Sequence, residues 1–400
     1  MFTTVQTWFQ RAARPFSAER YDAVAHERLR LYTLVTIALL KLFNLFGGNW
    51  DIQWHVAVGR DSLWIPPHML VVVAFITGSA VVLAAMAYET FLAQSGIKLD
   101  RVARVGAIRA PIAYFGIYFG YTAALLSGVF DELWHRAFGI DATLWSLPHL
   151  GIMASTMLVD VSLLVGITAA GRALKWPFHW RSPVFWGLML AGAYTFEAVN
   201  FQMSEAFVEG YRAQGAGLMG ILFPVLAGIM FPFPLLLSIK LSRRFWIAGL
   251  ICAAAIALQY VGTGVAAAGF AWLKPESAIE QFVRNNPEST IAKAREFARL
   301  MGFTSLIGFQ QAWIMWLSAV PLALVSLLEW WPWARKHVWV AAPIYSASLV
   351  VVSYVWFQQF AVLAAYHTPW TVVALGALVA AAGGLVFAQV GQWVATLAEA

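Results

Sequence analysis

The chain has 400 residues, of which 61% are hydrophobic and only 12% charged, and its formal net charge is +6. A water-soluble domain carries roughly twice that charged share, so a mean hydropathy of +0.70 makes lipid the solvent for most of the chain. The modest positive charge comes with no basic stripe or recognition motif, which excludes nucleic acid as a partner. The single cysteine, Cys252, excludes an internal disulfide and a thiolate metal cluster.

Residues 1–28 hold Arg11, Arg14, Glu19, Arg20 and Asp22, with no apolar run leading to a small-residue cleavage site. They read as a cytoplasmic N-terminal segment, not as a removable signal peptide. A membrane-crossing helix needs about 20 mostly apolar residues. Ten stretches qualify, near 29–48, 67–92, 107–130, 147–169, 183–204, 217–239, 245–272, 308–328, 338–360 and 371–396. The fold expected is all-α, a polytopic integral membrane helical bundle with a duplicated helical hairpin. Residues 29–170 form the duplicated four-span region, and residues 171–400 supply six further spans.

Loop charges orient these spans. Arg28 and Arg30 precede the first; Lys98, Arg101, Arg104 and Arg109 follow the second; Arg172, Lys175 and Arg181 follow the fourth. Lys240, Arg243 and Arg244 follow the sixth, and Arg335 and Lys336 the eighth. Basic residues collect on the cytoplasmic side, so both termini are expected there, in a multi-pass protein of the cytoplasmic (inner) membrane. The long segment 273–307 lies outside by parity and carries charge of both signs. Ile279, Phe282 and Val283, then Ile291, Ala294, Phe297, Ala298 and Met301, are spaced for amphipathic helices on the outer surface.

Two of the outer loops repeat each other. Residues 51–68 read DIQWHVAVGRDSLWIPPH and residues 131–149 read DELWHRAFGIDATLWSLPH, with one extra residue in the second copy. Asp51 and His55 are four apart, so on a continuing helix they share one face. His68 follows Pro66 and Pro67, residues favoured in the first turn of the next helix. The hairpin therefore points Asp51, His55 and His68 at one place, and the second hairpin does the same with Asp131, His135 and His149. Two imidazoles and a carboxylate form a transition-metal donor set, the set by which non-heme iron oxygenases hold iron with positions left open. Asp61 and Asp141, inside the two loops, are placed to orient the imidazoles or to serve as ligands if two metals bind. A plainer reading stands beside this one. Asp and His cap helices, and Trp54, Trp64, Trp134 and Trp145 suit an interfacial aromatic belt. The repetition of the polar positions favours metal.

The D-x3-H-x12-H spacing of Asp51, His55 and His68 resembles the metal motif in the C subunit of the copper membrane monooxygenases, which oxidise methane, ammonia or short alkanes. That family has a second half-site with Asn, His after three residues and His after thirteen more. Asp131, His135 and His149 have this spacing, with Asp131 in the place of Asn. The resemblance covers residues 30–170. It implies copper, a helical bundle, O2 as co-substrate, a small apolar substrate and a catalytic centre near the outer face. It also implies partner subunits or a homo-oligomer. The extra carboxylate of Asp131 opens the options of a second metal or of iron in place of copper. The rival readings are a non-heme iron enzyme and a non-catalytic membrane metal-binding or transport protein.

Other polar residues fall inside the spans. Lys41 lies ten residues before Asp51 and Asp160 eleven after His149, both about 15 Å along their helices from the motifs. Lone charges at such depth are costly, so a Lys41–Asp160 ion pair is expected, serving as a bundle lock or as part of a proton path. Glu197 and Asn200 in the fifth span are candidates to line the metal pocket, or else to bond a neighbouring helix. Glu89, at the inner end of the second span, reads as interfacial. His26, His179 and His337 are cytoplasmic by the charge rule, and His367, in an outer loop beside Pro369 and Trp370, is not counted in the site.

Overall fold

The computed structural model describes residues 21–58, 64–138, 145–212, 217–276, 278–300 and 315–398. Among the described residues, each of the ten expected spans falls mainly on helix. Among the described residues eight helices are long and apolar enough to cross a membrane, and the architecture is a polytopic helical membrane bundle. Of the other two, the fifth span is 30 residues long but diluted by Glu197, Asn200, Gln202 and Glu205. The described part of the eighth, Met315–Trp330, is shorter.

Helices α1 (Ala23–Ala57) and α2 (Pro66–Gln94) form the first hairpin, α3 (Ile112–Phe138) and α4 (Leu147–Ala173) the second. Helix α1 begins earlier than its hydropathy suggests because Asp22 caps it, accepting from the backbone of Val24 and Ala25 at 2.9 and 3.1 Å. Helix α3 begins later than 107 because strands β1 (Ala103–Val105) and β2 (Ile108–Ala110) pair antiparallel ahead of it. Gly106 turns this hairpin at a positive φ of 60°, which favours glycine.

Helix α1 packs on α2 and α4, and α3 packs on α2 and α4, so the four close into a ring. Its core includes Leu31, Leu34, Ile37, Tyr114, Ile117, Tyr121, Val159 and Leu163. Large apolar side chains on the outside, Leu39, Phe43, Leu126 and Val129 among them, are exposed and suit a lipid surface. Because each hairpin reverses the chain, α1 and α3 run the same way. Both repeated motifs therefore lie at one end of the ring.

Helices α5 (Pro183–Arg212) and α8 (Ile247–Leu273) close against α1, and α5 also against α4. Beyond them α6 (Leu222–Met230), α7 (Pro232–Ser242), α11 (Ala319–Leu327), α13 (Ala341–Phe357) and α14 (Trp370–Thr396) build the second part of the bundle. The expected single span 217–239 is divided at Phe231. Pro232 has no N–H to give Gly228; the Gly228 carbonyl instead accepts the Ser346 hydroxyl at 2.6 Å. A neighbouring side chain thus satisfies the freed backbone, as lipid requires. Of the polar residues that dilute the ninth span, Ser346 and Tyr345 turn inward to partners on other helices, Tyr345 to Ser318 at 2.7 Å. In the segment 273–307, α9 (Ala278–Asn285) and α10 (Thr290–Leu300) are helical as expected, and α12 (Pro332–Lys336) is a short connector.

Candidate metal centre

Helix α1 runs on to Ala57, so Asp51 and His55 stand one turn apart on the same face. Pro66 and Pro67 open α2, and His68 sits in its first turn. His68 Nε2 comes within 3.0 Å of Asp51 Oδ1 and His55 Nδ1 within 3.5 Å of the same oxygen. The imidazole rings are 5.4 Å apart. The second hairpin repeats this. Asp131 Oδ1 lies 3.2 Å from His135 Nε2 and 3.5 Å from His149 Nε2, with ring centroids 6.1 Å apart.

Within each triad the donor atoms all lie within 4.8 Å of one another, and each triad is able to hold a metal ion. The spacing of each carboxylate from its two imidazoles suits one ion. Donors about 2.1 Å from a common metal, at angles between octahedral and tetrahedral, stand about 3.0–3.4 Å apart. The four carboxylate–imidazole distances run from 3.0 to 3.5 Å.

The hairpins reach this closeness through glycine, from opposite strands of the repeat. A Cβ on Gly47, one turn before Asp51, would lie 2.8 Å from Val71 and 3.1 Å from the Pro67 carbonyl. In the second hairpin the small residue is on the other helix: a Cβ on Gly151 would lie 2.7 Å from Ser127 Oγ. Small residues let membrane helices approach, and here they do so beside the ligands.

The triads are not equivalent. The Asp131 and His135 side chains are each 10% exposed, against 24% and 30% for Asp51 and His55. Ser146 Oγ lies 3.0 Å from His149 Nδ1 and so turns Nε2 towards Asp131, the outer-shell contact that fixes a metal-binding imidazole. The first copy has Ile65 at the matching place. Sequence reasoning missed Ser146, although its position three residues before His149 was a legible signal. Trp145, beside it, donates its indole N–H to the Gln202 carbonyl at 2.9 Å and ties the second motif to α5.

Of the remaining candidates, Asp61 and Asp141 lie outside the described residues. Glu197 joins neither triad; among the described residues each metal-competent group of His, Cys, Asp and Glu consists of one Asp and two His. Glu197 is instead buried in the core between α5 and α8, within electrostatic range of Cys252. The expected Lys41–Asp160 pair forms, at 2.9 Å. Glu89, read from the sequence as interfacial, is drawn into the protein. It is buried, held by Arg30 Nε and Nη2 at 2.7 and 2.6 Å and by His26 Nε2 at 2.9 Å. His367 faces the Phe357 carbonyl at 3.4 Å and belongs to neither triad.

Fold and site together define a multi-pass helical membrane protein with two metal-competent Asp/His/His triads. No protein-family model, curated protein or solved structure matches the chain.

Proposed function

We propose that this protein is a membrane-embedded, metal-dependent oxygenase acting on a small apolar substrate. Copper is the metal of this reading, held by Asp51, His55 and His68 and by Asp131, His135 and His149. The observation that supports it most is the pair of two-imidazole, one-carboxylate clusters assembled at donor spacing at one end of a lipid-facing helical ring. Such a set fills three positions on an ion and leaves others open for a reacting molecule. A bound redox metal supplies O2 activation there.

The chain's own residues do the rest. Asp51 and Asp131 offset the ion's charge, and Ser146 orients His149. Phe130, Leu133, Leu147 and Leu150 are exposed apolar side chains flanking the second triad. They give a substrate dissolved in the bilayer a direct approach and keep bulk water away from that side. The alternation of basic loops assigns the triads to the outer face of the inner membrane, where O2 is available and an external electron donor or partner subunit has access.

The test is metal content by mass spectrometry on nanodisc protein, followed by O2-dependent oxidation of a short alkane with a chemical reductant. Copper at both triads with oxidised product supports the proposal. Iron in the same triads, with turnover, moves the reading to a non-heme iron enzyme. Metal that binds and exchanges without O2 consumption makes the protein a carrier, and folded protein that takes up neither Cu nor Fe overturns metal function altogether.

A further inference from the structure

Helix α1 carries two polar faces at its motif end. Asp51 and His55 turn towards α2. Asn49 and Gln53, two residues earlier in register and so about 200° around the helix, turn away from it and are buried. Asn49 Oδ1 accepts from Gln259 Nε2 of α8 at 2.7 Å, a side-chain bond between buried amides of two membrane helices. Asn49 Nδ2 donates to the Leu45 carbonyl at 3.1 Å and Gln53 Nε2 to the Asn49 carbonyl at 3.2 Å, so the whole turn is internally tied.

Helix α8 is shaped to receive this face. A Cβ on Gly262 would lie 2.9 Å from the Asn49 amide carbon and nitrogen, so the missing side chain is the space Asn49 occupies. Further along, Trp54 stacks on Phe270 with centroids 5.8 Å apart. Trp50, Trp54, Ile65 and Ala266 form a buried cluster of their own. Apolar contacts between helices in lipid are slippery, whereas a buried amide pair is directional and costly to leave unmade. One residue of rotation or rise in α1 breaks it, and the same movement swings Asp51 and His55 off His68.

We infer that Gln259, through Asn49, is a positioning residue of the first metal centre, setting the rotation and depth of α1 so that Asp51 and His55 meet His68. This rests on the proposal that the triads bind metal. It gives α8 a role that the second triad does not share, since that triad is held by Ser146 and, through Trp145, by α5.

Copper(II) alone is the probe, titrated into nanodisc protein with electron paramagnetic resonance and mass-spectrometric stoichiometry as readouts. One background, His135→Ala/His149→Ala, reports the first triad; the other, His55→Ala/His68→Ala, reports the second. Gln259→Leu is expected to weaken copper at the first triad by about 10–100-fold, the usual effect of an outer-shell change, to alter its spectrum, and to leave the second triad unchanged. Gly262→Ala, which crowds Asn49 while retaining Gln259, is expected to act in the same direction and serves if Gln259→Leu does not fold. Equal copper affinity and spectrum at the first triad in both variants, or equal losses at both triads, overturns the inference while leaving the metal reading intact. No copper at either triad of otherwise unaltered protein overturns both.

Discussion

Lys41 Nζ stands 2.9 Å from Asp160 Oδ1, and the two side chains are 5% and 0% exposed. The pair bridges α1 and α4 across the ring, with Lys41 also over the Tyr194 ring at 5.1 Å. Tyr194 in turn donates to the Ala38 carbonyl at 2.8 Å.

Removing one partner strands the other charge in an apolar interior, at a cost of about 3–5 kcal/mol, whereas replacing both is close to neutral. Lys41→Met and Asp160→Leu should each lower the thermal midpoint in detergent, and the double variant should recover most of the loss. If the double variant also keeps turnover, the pair is a lock; recovery of stability without turnover assigns it to proton movement.

Each triad should hold its own ion. His55→Ala/His68→Ala and His135→Ala/His149→Ala are each expected to lose about half of the bound metal, counted by mass spectrometry. Complete loss in either single-triad variant would mean that the six ligands act as one centre.

Ser146→Ala removes the contact that orients His149. The expected result is a metal affinity about 10–100-fold lower at the second triad, with the first unaffected, measured by competition with a chelator. Ile65→Ser, which places the matching hydroxyl before His68, tests whether the first triad gains what the second loses.

Gly47→Val forces a side chain into Val71 and the Pro67 carbonyl. Overpacking of this kind costs about 1–3 kcal/mol, and here it also parts α1 from α2. Metal should be lost from the first triad only, while Gly151→Val should spare the first and impair the second.

At the opposite end of the ring, Glu89 holds Arg30 through two bonds and His26 through a third. Glu89→Leu leaves the buried Arg30 with Glu27 as its remaining carboxylate, at 2.6 Å. Its thermal unfolding should show a loss of about 3–5 kcal/mol with metal content unchanged.

Much of this was written locally. The apolar runs fixed where helices lie, and the repeated Asp, His and Pro positions fixed the triads, because spacing along one helix and a short loop between two helices leave little freedom. The depth of Lys41 and Asp160 below the motifs was likewise a matter of counting residues. Where local backbone chemistry intervened, counting failed. Asp22 lengthened α1, the strands around Gly106 delayed α3, and Pro232 divided the sixth span.

What the sequence by itself determined, then, is membrane residence, the helices and the two Asp/His/His sets able to hold a metal. Only the tertiary structure decided that Glu89 is buried and that Glu197 joins neither triad. It also decided that α8 rather than α2 receives Asn49. Those outcomes depend on which helix faces which, and in lipid nearly every helix is apolar all round. Hydropathy therefore carries no directional signal, and the choice of neighbours falls to small residues and to polar contacts between residues far apart in the chain.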